Sequence, residues 1–174
     1  MIISVEEAKK LIVFDNWTDE KIERKLKAIE HIIRVYTNNN FQQRAYRRTA
    51  DIFGSLFVAE SLIPFEVGET VQISESELNE GLYTIAEVED ATFKVKEAVK
   101  DENDVLVTKV SYPEDVVDCC INMLEWEIKN RSKVGIKSET LSRHSVTYED
   151  SNSLFMGYPK GILGCLELYK KARC

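Results

Sequence analysis

The feature that most constrains this chain is a change of period. Apolar residues recur at helical spacing on both flanks, but between about Phe41 and Val110 they fall into short alternating runs. A helix buries one face when apolar residues return every three or four positions, whereas a half-buried strand needs them every second position, so each pattern excludes the other locally. The expected fold class is therefore α+β: an antiparallel helical body of about four helices, from residues 1–40 and 111–174, with an inserted small β-barrel-like domain at 41–110.

The helical signals are specific. Ser4 and Glu7 have capping-box spacing, and Val5, Ala8, Leu11 and Ile12 continue a first helix to about Phe14. Thr18, followed by Asp19 and Glu20, opens a second, whose stripe is Ile22, Leu26, Ile29, Ile33 and Tyr36. The run Thr37-Asn38-Asn39-Asn40 ends it, because short polar side chains compete for backbone hydrogen bonds. A third helix starts at Pro113-Glu114-Asp115, with proline at the first helical position, and is expected to stop near Val134-Gly135. A last one is expected from Tyr158-Pro159, with Ile162, Leu163, Leu166 and Tyr169 on one face.

Within the middle segment, Phe65–Ile73 and Leu82–Val88 alternate around the turn Asn79-Glu80-Gly81, and Thr92–Val95 and Val105–Val110 follow. Four or five short strands in so few residues imply a curled sheet or barrel, since a lone hairpin is marginal in water. Phe41–Phe57 reads as an extended arm or strand carrying Arg44, Arg47 and Arg48, suited to an acidic neighbouring subunit or a phosphate backbone. Residues 136–148 alternate weakly, as a hairpin or a long loop.

Composition excludes several classes. With 44% hydrophobic and 30% charged residues the chain has the means to fold, and no apolar run approaches the length needed to cross a bilayer, so no membrane association is expected. The N-terminal segment carries acids and lysines where a signal peptide is apolar, which points to the cytosol unless the protein leaves inside something larger. A net charge of -7 opposes a surface built to neutralise phosphates. Between Phe65 and Val110 acids greatly outnumber Lys94, Lys96, Lys100 and Lys109, and aromatic residues are not interleaved with basic ones as base stacking requires.

No catalytic constellation assembles. His31 lies beside an apolar helical stripe and His144 in a polar stretch, neither near a recognised nucleophile pattern. Cys119 and Cys120 sit mid-helix, where core packing is expected, and Cys165 and Cys174 form no metal-knuckle spacing with them. The pairs Glu114-Asp115 and Glu149-Asp150 are adjacent residues that point apart, and Gly157, Gly161 and Gly164 lack a phosphate-binding lysine. The expectation is a non-enzyme with no metal and no cofactor.

The C-terminal third carries a resemblance. Tyr112-Pro113-Glu114-Asp115-Val116, Lys129-Asn130-Arg131, the stretch from Gly135 through Ser138-Glu139 to Ser145-Val146-Thr147-Tyr148, and Gly157-Tyr158-Pro159 with Leu166–Lys171 look like the head-tail connector (adaptor, head-completion) proteins of long-tailed bacteriophages. The resemblance is closer over Ser111–Arg173 and looser over Ser4–Asn40; relatives often have glycine where Ser142 stands. It implies a helical body and a virion structural subunit at the head-tail junction: a ring of identical copies, expected to be dodecameric, docked beneath the portal protein and receiving the next neck or stopper protein. DNA then passes through without sequence-specific binding. On that likeness, the partner-binding residues are Ser138, Glu139, Arg143, His144, Ser145, Val146, Thr147, Tyr148, Tyr169, Lys170 and Lys171, with Arg44, Arg47 and Arg48 as an inter-subunit basic arm. Two other readings stand beside it: a nucleic-acid-associated regulator using the small barrel, and a small hydrolase for which no nucleophile and base can be placed.

Overall fold

In the computed structural model the described residues are 1–130, 138–141, 144–147 and 154–172, with the backbone alone considered at 138–141 and 144–147. The chain divides into two compact units, residues 1–39 with 112–174, and residues 40–111.

In the first unit, α1 (Val5–Leu11) begins at a complete capping box: Ser4 Oγ accepts from the Glu7 amide at 3.1 Å, and the Glu7 carboxylate accepts from the Ser4 amide at 2.8 Å. These bonds satisfy two amides that an open helix end leaves without partners. The longest helix, α2 (Asp19–Thr37), is capped by Thr18, and it ends where Asn38 turns left-handed at φ 48°. Asparagine tolerates that conformation better than most residues, which is why the amide run stops the helix. Its stripe of Ile22, Leu26, Ile29 and Ile33 is fully buried against Val116, Cys119, Cys120, Met123 and Leu124 of α3 (Glu114–Asn130). Burial of each large aliphatic side chain contributes about 1.5–3 kcal/mol, so this seam is the main stabilising contact of the unit.

The second unit is a closed barrel of six antiparallel strands: β1 (Gln42–Phe53), β2 (Leu56–Ala59), β3 (Thr70–Ser74), β4 (Gly81–Glu89), β5 (Thr92–Val95) and β6 (Glu102–Val110), in the order β1-β2-β5-β4-β3-β6. Closure leaves no strand edge in this sheet open to pairing. The β1–β2 hairpin turns through Gly54 and Ser55, both at positive φ, as the tight turn matching right-handed strand twist demands. Three irregularities supply curvature: β1 slips against β6 between Gln42 and Arg47 and again between Ala50 and Ile52, and β4 slips against β5 between Ile85 and Glu87. Phe57 stacks on Phe93 at 4.4 Å between ring centroids, Phe65 meets Phe93 edge-on at 5.7 Å, and Ile52, Val71, Ile73, Ile85, Val105 and Val107 fill the remaining interior.

One end of the barrel is tied by a carboxylate. Glu102 accepts from Ser76 Oγ at 2.6 Å, the Glu77 amide at 2.6 Å, the Leu78 amide at 3.3 Å and Asn79 Nδ2 at 2.7 Å. Asn79, itself buried, exchanges a second pair of bonds with the Lys100 backbone. The Ser76 hydroxyl, followed by the backbone amides and Asn79, holds the Glu102 carboxyl below its ordinary value. A lowered folded-state pKa stabilises at pH above the unfolded carboxyl value, and that contribution is lost as pH falls through the folded one. Acidification into that range is expected to speed amide exchange at Glu77 and Leu78 in the wild type beyond the intrinsic pH trend. In Glu102→Gln the two amides should lack this extra pH dependence; equal profiles in both proteins would count against the clasp.

Two sequence expectations are corrected. The antiparallel body of about four helices with an inserted barrel-like domain, also implied by the connector resemblance, does not form. Among the described residues only α2 and α3 are long; α1 has seven residues and α4 (Lys160–Leu163) four. Strand takes their place: the closed barrel, a two-stranded sheet of β7 (Ser138–Leu141) with β8 (His144–Thr147), and another of β9 (Leu154–Phe155) with β10 (Tyr158–Pro159). The expected last helix is also broken. Tyr158 and Pro159 belong to a strand, and after one α-turn the chain tightens into a 3-10 helix at Gly164–Tyr169. Gly161 and Gly164 each cost about 1 kcal/mol relative to alanine inside an α-helix, so the apolar period at Ile162, Leu163, Leu166 and Tyr169 is met by a tighter coil. The expected stop of the third helix near Val134-Gly135 lies outside the described residues, where α3 is followed only to Asn130.

Candidate interaction surfaces

The stretch carrying most of the proposed partner contacts is a strand pair. Ser138 lies opposite Thr147, Glu139 opposite Val146, Thr140 opposite Ser145 and Leu141 opposite His144. The Ser138-Glu139 and Ser145-Val146-Thr147 segments named from the resemblance are therefore brought side by side. Arg143 and Tyr148 lie outside the described residues. Two strands of four residues are marginal as an isolated sheet, and within the sheet each strand is paired along one edge only. Among the described residues no further strand pairs with either one, and an edge of this kind is suited to strand addition by another chain.

Tyr169, Lys170 and Lys171 lie elsewhere in the same unit, at the C-terminal end of α2, and each bonds within the chain. Tyr169 Oη donates to both Asp115 carboxylate oxygens at 2.6 and 2.7 Å, and that bond raises the phenol pKa. Lys170 Nζ donates to Glu167 at 2.8 Å and stands 4.0 Å over the Tyr36 ring, while Tyr36 Oη donates to the same carboxylate. The Glu167 carboxyl is lowered, first by Lys170 and then by Tyr36, and the lysine is raised in turn. The Lys171 amide donates to the Thr37 carbonyl at 2.8 Å, Asn38 Nδ2 to the Ala172 carbonyl at 2.9 Å, and Asn39 Nδ2 to the Tyr169 carbonyl at 3.2 Å. The amides that end α2 thus also bind the C-terminal segment.

The three arginines of the expected basic arm stand on β1. Arg47 Nε donates to Thr108 Oγ1 at 3.0 Å and Arg48 Nε to the Leu62 carbonyl at 3.2 Å, while Arg44 is exposed in the irregular stretch between Gln42 and Arg47. Two of the three are thereby held to the barrel wall by their own hydrogen bonds, which leaves Arg44 as the outward charge of the group.

Two buried carboxylates in the first unit were missed by the sequence reading. Glu127, on α3, accepts from Tyr158 Oη at 2.6 Å and pairs with Lys25 of α2 at 3.2 Å. Glu30, on α2, accepts from Tyr112 Oη at 2.7 Å, and Arg34 Nη1 donates to the same phenol oxygen at 3.3 Å. Burial first, and then Glu30, pushes the Tyr112 phenol well above its ordinary value, so it stays a donor to that carboxylate. The signal was present: Glu30 falls four residues after Leu26, and Glu127 four after Met123, so both acids occupy positions of the apolar stripe. Buried acids at such positions are paired, because an unpaired buried charge is too costly to keep. Both networks join helix to neighbouring segment and are structural in geometry.

His31 is an exposed helical residue. Among the described residues no group of three or more His, Cys, Asp and Glu side chains is arranged to hold a metal ion, and no helix is long and apolar enough to cross a membrane. No protein-family model matches this chain, and no curated protein matches it in sequence.

Proposed function

We propose that this chain is a structural head-tail connector (adaptor) subunit of a phage or prophage, forming a ring between the portal and the neck or tail proteins through which DNA passes. The observation that carries this reading is the β7–β8 pair: two of the segments that carry the resemblance, Ser138-Glu139 and Ser145-Val146-Thr147, lie opposite one another in a two-stranded sheet too small to be stable on its own. Such a sheet gains stability when a partner adds a strand or covers a face, which suits an element whose task is to meet an unlike protein during assembly. The acidic balance of the chain supports the same reading, since a passage lined by negative charge repels a sliding duplex and does not retain it.

The partners are other copies of the chain, the portal protein and the next neck or stopper protein, and the place of action is the virion head-tail junction. The chain mixed with a portal protein is expected to appear in electron micrographs as a ring seated on the portal. Retention of duplex or RNA that weakens with salt, without any portal binding, would instead support the nucleic-acid regulator. Deleting residues 143–148 is expected to leave the monomer folded while reducing the yield of tailed virions by at least about tenfold, the factor that a loss of about 1.4 kcal/mol in docking produces. Normal virion yield from that deletion would remove the hairpin from the account.

A further inference from the structure

Two thiols outside the surfaces described above converge on one carbonyl. Cys119 Sγ, from α3, donates to the Ile162 carbonyl at 3.3 Å, and Cys165 Sγ, from the 3-10 helix, donates to the same oxygen at 3.4 Å. Both sulfurs therefore stand beside a single backbone oxygen. They come from segments far apart in sequence and belong to the same compact unit. Cys119 is buried, whereas Cys165 is partly open to solvent. Cys120, the neighbour of Cys119, is wholly buried.

We propose that Cys119 and Cys165 form a thiol pair modified by low-molecular-weight disulfides, closing to an internal disulfide that staples the C-terminal segment to α3. Cys165 reacts first because it is the accessible member. Its thiolate attacks one sulfur of the small disulfide, forming a mixed disulfide at Cys165 and releasing one small thiolate. The Cys119 thiolate then attacks the Cys165 sulfur, breaking the mixed disulfide and expelling the second small thiolate. The two protons lost by the cysteines end on the two released thiols, so the small disulfide is reduced by two electrons and the pair oxidised by two.

The surroundings set the order and pace of these steps. Burial, and then the Cys165 thiol, raise the Cys119 pKa far above its ordinary value, so the second step is slow at neutral pH and quickens as pH rises. In a reducing cytosol the pair stays as two thiols, and exposure to an oxidising medium closes it. The hydrogen bonds from Asn38, Asn39 and Tyr169 hold the chain just beyond Cys165.

The test treats the full chain with oxidised glutathione at neutral and at alkaline pH. Thiol titration should show the loss of two of the four cysteines, and fragmentation of the tryptic peptides should show a Cys119–Cys165 link with no retained glutathione. The oxidised protein should melt about 5 °C or more above the reduced one, a difference abolished by reductant. Link formation should be faster at alkaline pH. A glutathione adduct that persists on Cys165, a link from Cys165 to Cys120 or Cys174, or a melting temperature unchanged by a confirmed link would each overturn the proposal.

Discussion

Replacing Phe93 by alanine is expected to destabilise the barrel unit by about 3–5 kcal/mol, the range for deleting a large buried aromatic side chain. Phe93 is almost fully buried, and its ring contacts two others: Phe57 stacked on one face at 4.4 Å and Phe65 set edge-on at 5.7 Å. The cost has two parts: the lost transfer of the ring from water, and the cavity left where neighbours cannot relax. Closure makes the second part large here, because β5 is hydrogen-bonded to β2 on one side and β4 on the other and cannot collapse inward. Phe93→Leu keeps much of the volume and should cost roughly half as much. Urea unfolding followed by circular dichroism checks this; a loss below about 1 kcal/mol for the alanine variant would mean that the ring stack is not the centre of the barrel.

Glu127→Ala is expected to destabilise the first unit by about 3 kcal/mol, the cost of removing one partner of a buried ion pair. The carboxylate is almost fully buried, joins α2 through Lys25, and accepts from the Tyr158 hydroxyl, which also carries the ring against Trp126 at 5.5 Å. Removing it leaves a phenol donor buried without its acceptor and a half-buried ammonium without its counter-ion. Glu127→Gln keeps an acceptor for Tyr158 and removes only the charge, so it should cost less than the alanine change. Pairing each variant with Lys25→Met separates the ion pair from the hydrogen bond, because the coupling energy of a double-mutant cycle reports the pairwise part alone. If Glu127→Ala and Glu127→Gln prove equally mild, Glu127 is a tolerated acid and not a joint between segments.

These two sites differ in how far the sequence discloses them. Phe93 stands in an alternating run, and any strand assignment for Thr92–Val95 puts it on the inward face. Glu127 shows only as an acid on an apolar stripe, and nothing local says that Tyr158 and Lys25 will meet it. The same holds for the proposed partner residues: local alternation at 136–148 admitted a hairpin or a loop, and pairing made it a strand pair. Nothing local says that Tyr169 will meet Asp115 or that Lys170 will stand over Tyr36, because those groups lie far away in the chain.

The sequence by itself determined the caps at Ser4 and Thr18, the stop at Asn38, the apolar stripes of α2 and α3, and the inward positions of β3, β4, β5 and β6. All of these follow from forces acting within a few residues, where period, side-chain hydrogen bonding and backbone preference suffice. Only tertiary structure decided that β1 and β6 pair to close the barrel, that the last apolar run tightens into a 3-10 turn, and that Cys119 and Cys165 share one carbonyl. Those outcomes depend on contacts between segments distant in the chain, whose free energy outweighs local propensity by more than the fraction of a kcal/mol per residue that propensity supplies.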